Sequence, residues 1–234
     1  MLAFWRFCAN TIARIYAGLQ NTDITIKKEN TMKELLSRYP QLTDCKESIT
    51  KAVGFIVDGY FMGGKVLACG NGGSAADSDH IVGELMKGFL SRRPLTEDEK
   101  TALENAGGVG MAENLQRGIP AISLPSQSAV LTAFVNDVLP ENMYAQLMFA
   151  YGTENDTAIC ISTSGNSKNV VAAAIAAKAK GVKVVSLVGA NKCKLDEVSD
   201  VCIHVPETET YKIQELHLPV YHYICAEVER NLFD

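Results

Sequence analysis

Five short apolar runs constrain the fold of this chain most: Lys65–Cys69, Ala121–Leu124, Thr157–Ile161, Lys183–Leu187 and Val201–Val205. Each is too short for a buried helix and lacks the alternation of a strand with one wet face. Each therefore reads as a strand buried on both sides. Around them, apolar residues recur at helical spacing over about 45–62, 75–87, 129–134, 141–150, 168–180, 195–198 and 211–230. Short buried strands alternating with helices predict an α/β fold whose parallel sheet is covered on both faces. Such sheets bind ligands outside the carboxyl ends of their strands. Two loops rich in glycine and serine fall there, Gly70–Ser74 after the first strand and Ser162–Ser167 after the third.

Two stretches depart from this rhythm. Residues 1–44 read as an N-terminal helical segment, with helical spacing over 3–20, ahead of one domain expected over 45–234. The apolar start is interrupted by Arg6 and Arg14, and no small-residue cleavage site follows, so it reads as an amphipathic helix rather than a leader. No run reaches the roughly 18 uncharged residues that a membrane span needs. Residues 89–118 look like an insertion: Ser91-Arg92-Arg93-Pro94, a charged stretch with a short helix near 96–105, then Gly107-Gly108-Val109-Gly110. A solvated surface loop and a lid or subunit contact are both open readings of it.

At 234 residues the chain suits one full-sized domain. A net charge of −5 argues against nucleic acid as a partner, because that footprint is basic. The seven cysteines form no CxxC pair, and several lie in strand-like runs. They read as reduced thiols of a cytoplasmic protein.

The loop Ser162-Thr163-Ser164-Gly165-Asn166-Ser167 is the strongest local signal. Its four hydroxyl side chains precede a helix, so hydroxyls, backbone N–H groups and the helix's positive end can converge on one anion such as a phosphate. A plain N-cap also favours these residues, but four hydroxyls in six positions exceed what a cap requires. Gly70-Asn71-Gly72-Gly73-Ser74-Ala75 fits G-x-G-x-x-A, yet no acidic residue ends the second strand. A nucleotide cofactor is therefore not expected; close backbone approach to a small polar ligand explains Gly72 and its neighbours better. His80 and Glu84 stand four apart on the helix that follows and share a face, a spacing for metal ligation or acid–base work, or simply for an ordinary helix surface. Gln214, Glu215, His217 and His222 lie in the last helix. Gln214 and His222 are separated by about 12 Å of helical rise, so they reach one site only if their side chains converge or two subunits meet. His204, in a strand, reads as structural.

Taken together, Gly-Asn-Gly-Gly-Ser at 70–74, Ser-Thr-Ser-Gly-Asn-Ser at 162–167 and Ile213-Gln214-Glu215-Leu216-His217 resemble the sugar isomerase (SIS) domain, and within it the phosphoheptose, or sedoheptulose-7-phosphate, isomerases. The resemblance runs from about residue 40 to the end, apart from the insertion. It implies a single SIS domain with a five-stranded parallel sheet, a homotetramer, and active sites near subunit boundaries. It implies phosphate binding by Ser74, Ser162, Ser164 and Ser167, with Asn71, Thr163 and Asp137 as substrate contacts. His80, Glu84, Gln214 and His222 match four positions that bind zinc in some members, and Glu84 and His222 match the pair assigned as base and acid.

The activity so implied is aldose–ketose isomerisation of a phosphosugar, sedoheptulose 7-phosphate to a heptose 7-phosphate, through an enediol. It needs one base and one acid beside a tethered sugar. Zinc on those four residues would compete with free acid–base roles, so it is expected to stabilise or inhibit rather than to be required. Three departures bear on the sugar's identity: Tyr211 replaces an Asp, Gly88 replaces an Arg that Arg92 or Arg93 could substitute, and the insertion is extra. The alternatives are a non-catalytic SIS module that senses phosphosugars or binds a protein, or an isomerase of another phosphosugar. Glu84 and His222 favour the enzyme.

Overall fold

The computed structural model describes residues 31–233, so the helix expected over 3–20, and Cys8, lie outside the described residues. The chain divides into two compact units, Met1–Thr43 and Asp44–Asp234. In the first, residues 31–38 are helical, and the Thr43 hydroxyl donates to the Pro40 carbonyl at 2.6 Å.

The second unit carries helices α1 (Lys46–Phe61), α2 (Gly73–Met86), α3 (Glu97–Asn105), α4 (Ser128–Asp137), α5 (Met143–Tyr151), α6 (Lys168–Ala179) and α7 (Thr210–Phe233). Its strands are β1 (Val66–Cys69), β2 (Ala121–Ser123), β3 (Thr157–Ile161), β4 (Lys183–Val188) and β5 (Val201–His204). They form one sheet in the order β2-β1-β3-β4-β5, and every pairing is parallel. All of β1 and β3 is buried, as the unbroken apolar runs demand.

Side chains alternate between the two faces of the sheet. Leu67, Cys69, Ala158, Cys160, Val184 and Val188 join one core with Tyr144 and Met148 of α5 and with Ala173, Ala174 and Ala177 of α6. Small residues on α6 let that helix lie close to the strands. Helices α1, α2 and α7 pack on the other face and against one another. The strand order reverses between β1 and β3, because β1 runs outward to β2 while β3 leads to β4 and β5. At that switch point a crevice opens beyond the strand ends. The loops after β1 and β3 are therefore neighbours.

The 89–118 segment is a closed excursion. Its base is pinned by an antiparallel bridge between Pro94 and Gln116, by Arg117 N–H donating to the Arg93 carbonyl at 2.8 Å, and by Gly88 N–H donating to Gln116 Oε1 at 2.7 Å. Helix α3 has a reciprocal Thr96–Glu99 cap and buries none of its residues. The described cysteines are all free thiols, five buried and Cys202 half-buried.

Candidate active site

Two helix N-termini meet at the switch point. Helix α6 starts after Ser167, whose hydroxyl makes no capping bond to the helix. It is instead the acceptor for the Ser162 hydroxyl at 3.0 Å. The Val170 N–H of the first turn is met by Asn169 Oδ1 at 3.0 Å, so no serine of the loop caps this helix, and its leading N–H groups face the loop. Gly165 turns the loop at φ 63°, and a Cβ there would stand 2.1 Å from Cys193 Sγ. Glycine thus serves both backbone and packing. The Ser164 hydroxyl accepts from Asn166 N–H at 3.2 Å, so Ser162, Thr163, Ser164 and Ser167 stand in one turn ahead of α6.

The β1 loop is built alongside. Gly72 caps α2 at φ 56° with no side-chain cap, and the Tyr144 hydroxyl donates to the Gly70 carbonyl at 2.7 Å. Asn71 and Asn169 exchange two amide hydrogen bonds of 2.8 Å, tying the loop to the first turn of α6. Asn169 was missed in the sequence, where nothing but its place in that turn marks it. Ser74 is buried at the start of α2. A cavity of about 200 Å³ opens at the hydroxyl loop, lined by Thr163, Ser164, Asn166, Asn191, Glu207 and Thr210 among others, but not by Glu84 or His222.

Helix α2 carries this loop to the acid–base cluster. A Cβ on Gly73 would stand 2.7 Å from Gln214 Nε2. Seven residues on, His80 Nε2 lies 3.3 Å from His222 Nε2. Helices α2 and α7 therefore run side by side in the same direction. His80 Nε2 is also 3.1 Å from Glu84 Oε1, and donor atoms of His80, Glu84 and His222 all lie within 4.8 Å of one another. Gln214 belongs to the loop end of this pair of helices, about 12 Å of rise from His222. Asp137, at the end of α4, is exposed and bonded to Asn136 at 2.7 Å.

Hydrogen bonding sets the state of the cluster. The Tyr221 hydroxyl donates to Asp77 Oδ1 at 3.1 Å and lies 3.1 Å from His80 Nδ1. With its hydrogen given to Asp77, the phenol oxygen accepts from His80 Nδ1–H, so the lone pair of His80 sits on Nε2. That lone pair faces the Glu84 carboxylate. The His222 ring brings a nitrogen able to donate to the same lone pair, its Nε2 at 3.3 Å. Burial, helped by the neighbouring His80, holds His222 below the ordinary imidazole range, against the pull of Glu84. Neutral at physiological pH, it can take or give a proton. Burial raises the Asp77 carboxyl although Tyr221 and His80 oppose it. Asp77 stands three residues before His80, a helical spacing, whereas Tyr221 is simply adjacent to His222, and neither place marks a functional residue by itself.

His217, three residues from Gln214, turns away from this cluster. It is fully buried, its Nε2 lies 3.3 Å from the Val188 carbonyl, and burial lowers its pKa to about 4. His204 is held by the Gly189 carbonyl at 2.9 Å and Asp196 at 2.6 Å, a structural role as expected. Of the two arginines considered for the place of the one missing at Gly88, Arg92 is exposed and Arg93 is buried beside the end of α2. The Arg93 guanidinium donates to the Leu85 and Glu84 carbonyls at 2.6 and 3.0 Å.

Known proteins resemble the chain in sequence and fold. SIS domain families match residues 122–222 and 29–119. The chain is 37% identical to the phosphoheptose isomerase of Rhodospirillum rubrum over 83% of its own length and 91% of that protein's. It is 36% identical to the Aneurinibacillus thermoaerophilus phosphoheptose isomerase over 87% and 89%. The solved phosphoheptose isomerase of Neisseria gonorrhoeae superposes with a TM-score of 0.65 at 27% identity, covering 95% of this chain and 98% of that one. With a third or more of its residues shared across most of its length, and the same five-stranded parallel sheet, the chain belongs to the phosphoheptose isomerase family of SIS-domain proteins.

Proposed function

We propose that the chain is a phosphosugar isomerase that interconverts sedoheptulose 7-phosphate and a heptose 7-phosphate. The observation that carries this reading is the convergence of Glu84, His80 and His222 along the helix that starts at the β1 loop. The printed names of the relatives agree with it. The phosphate is received by the N-terminus of α6, with Ser162, Ser164 and Ser167, and by Ser74 from α2. Asn71, Gly72, Thr163, Gln214 and Asp137 are assigned to the sugar. Glu84 removes the proton from the carbon beside the carbonyl, giving an enediol. His222 moves a proton between the two oxygens, and Glu84 returns its proton to the neighbouring carbon. A positioned acid or base contributes ~10²–10⁴-fold in rate.

The same cluster fits zinc. His80 Nε2 is a lone-pair donor oriented from behind through Tyr221 and Asp77, the second-shell support that imidazole ligands receive. His80, Glu84 and His222 would hold the ion, and Gln214 would join them only by moving or from another subunit. Bound zinc would polarise a sugar oxygen, at the expense of Glu84 as a free base. Assembly as a homotetramer in the cytoplasm completes the reading, supported by the free thiols and the exposed apolar side chains. No described helix is long and apolar enough to cross a membrane.

Incubation with a panel of ketose phosphates, followed by NMR, tests the function. Turnover of sedoheptulose 7-phosphate is expected, and Glu84→Gln should reduce it at least about 10²-fold while phosphosugar binding persists. Binding without turnover of any sugar would instead make the chain a sensor. Full activity in Glu84→Gln would remove Glu84 as the base.

A further inference from the structure

Arg93 is the one non-glycine residue at positive φ among the described residues, at 45°. Its side chain is wholly buried and paired with Glu229 at 2.6 Å, itself 2% exposed. Both features are unfavourable taken alone. A left-handed backbone costs a bulky residue steric energy, and a buried ion pair adds no more stability than apolar side chains of the same volume. Such a feature persists where its geometry matters, and this geometry is directed at the acid–base pair.

All three nitrogens of the guanidinium donate a hydrogen bond. Nε donates to Glu229 Oε1 at 2.6 Å, Nη1 to the Leu85 carbonyl at 2.6 Å, and Nη2 to the Glu84 carbonyl at 3.0 Å. Those carbonyls belong to the last turn of α2, where no following helical N–H remains to receive them. A positive charge also suits that end of the helix dipole. Glu84 projects from this turn, two residues before the helix stops at Met86. The Leu85 carbonyl also accepts from Ile119 N–H at 2.9 Å, so Arg93 shares that group and adds the hold on the Glu84 carbonyl. With Arg93 gone the end of the turn loosens, and the carboxylate moves with it.

Glu229 extends the grip to the second helix. Besides Arg93, its carboxylate accepts from the N–H groups of Phe89, Leu90 and Ser91 at 2.8, 2.7 and 3.1 Å. These four donors saturate it. Glu229 follows His222 by seven residues, two helical turns, and so lies on the same face of α7. The Phe89 ring, whose backbone Glu229 holds, lies 5.6 Å from the His222 ring. One buried ion pair thus fixes the turn that carries Glu84 and the ring packed on His222.

We propose that Arg93, clasped by Glu229, is a positioning residue for the isomerisation, setting the distance between Glu84 and His222. The proposal rests on the reading of those two residues as base and acid. It also gives the entry to the 89–118 insertion a function: the insertion begins by closing this clasp, and its first and last segments are pinned together at Arg93 and Arg117.

Steady-state kinetics on full-length Arg93→Lys and on the apolar pair Arg93→Met/Glu229→Met tests it, with wild type and Glu84→Gln in the same assay. Lysine keeps the charge but cannot bridge two carbonyls and a carboxylate. The apolar pair keeps the volume and removes the polar geometry. For both we expect kcat to fall about 10- to 100-fold, the scale of a displaced catalytic group. KM should stay within about threefold, because the hydroxyl loop is untouched. A kcat within about twofold of wild type in either folded variant overturns the proposal. Loss of folded structure in both overturns it as well, since the pair would then be holding the fold rather than the site. An inactive wild type, or a fully active Glu84→Gln, marks instead the failure of the acid–base reading beneath it.

Discussion

Tyr221 has one hydroxyl hydrogen and gives it to Asp77 rather than to His80, and the tautomer of His80 follows from that choice. Burial and the Asp77 carboxylate push the phenol well above its ordinary pKa, so it stays a donor throughout the physiological range. Tyr221→Phe removes the acceptor for His80 Nδ1–H and frees the ring to change tautomer. Loss of such a supporting group costs about 10- to 100-fold in metal affinity or activity. Once loaded with added zinc, Tyr221→Phe should yield the metal to a chelator at correspondingly lower concentration than wild type, and it should show a lower kcat. Unchanged chelator resistance together with unchanged kcat would mean that the chain from Asp77 to His80 does not tune the cluster. Of these residues, His80, Glu84 and His222 were legible because titratable groups at helical spacing are visible in a sequence. Tyr221 and Asp77 were not, since a tyrosine and an aspartate on amphipathic helices have many commoner uses.

The strand elements are tied together at their amino ends by one carboxylate. Asp156, just before β3, accepts from Lys65 N–H at 2.8 Å, Lys65 Nζ at 2.7 Å and Thr153 N–H at 2.7 Å. Burial by itself would raise its pKa, but the bonds from Lys65 and Thr153 outweigh burial and hold it below the ordinary value. A carboxyl depressed in the folded state contributes stability that is complete above its unfolded pKa of about 3.9 and lost as pH falls through the folded value. Asp156→Asn should therefore lower stability at pH 7 by about 1–3 kcal/mol, and its gap from wild type should narrow below about pH 4. Chemical denaturation across pH checks this; a gap that is absent at pH 7 or constant into acid refutes it. The elements themselves were readable to within about three residues, the ends of α4 and α7 being the furthest off, because periodicity and glycine punctuation are local. Helix α4 was placed correctly, yet it buries none of its residues in the single chain.

At the scale of the molecule, the single chain leaves Met86, Leu90, Val109, Val138 and Phe149 between 50 and 83% exposed. Large apolar side chains exposed in such number suit the tetramer proposed above, in which neighbouring subunits would cover them. Light scattering at micromolar concentration should give the mass of four chains. A monomer with full isomerase activity would refute both the tetramer and any need for a neighbour's residues at the site. The exposed edge of His80 and the distance of Gln214 from His222 within one chain are the features that assembly would alter.

Short-range spacing marked out the strands, most of the helices, the two glycine- and serine-rich loops and the acid–base candidates. Which strand lies beside which, and hence that the Gly70–Ser74 and Ser162–Ser167 loops share one crevice, was decided by packing of helices on the two faces of the sheet. So was the parallel alignment of α2 with α7, which joins His80 to His222 across 142 positions and leaves Gln214 at the other end. The Arg93–Glu229 clasp spans 136 positions. Long-range polar pairs of this kind leave no periodic trace. They become visible only once the chain has buried enough apolar surface to hold two charges together away from water.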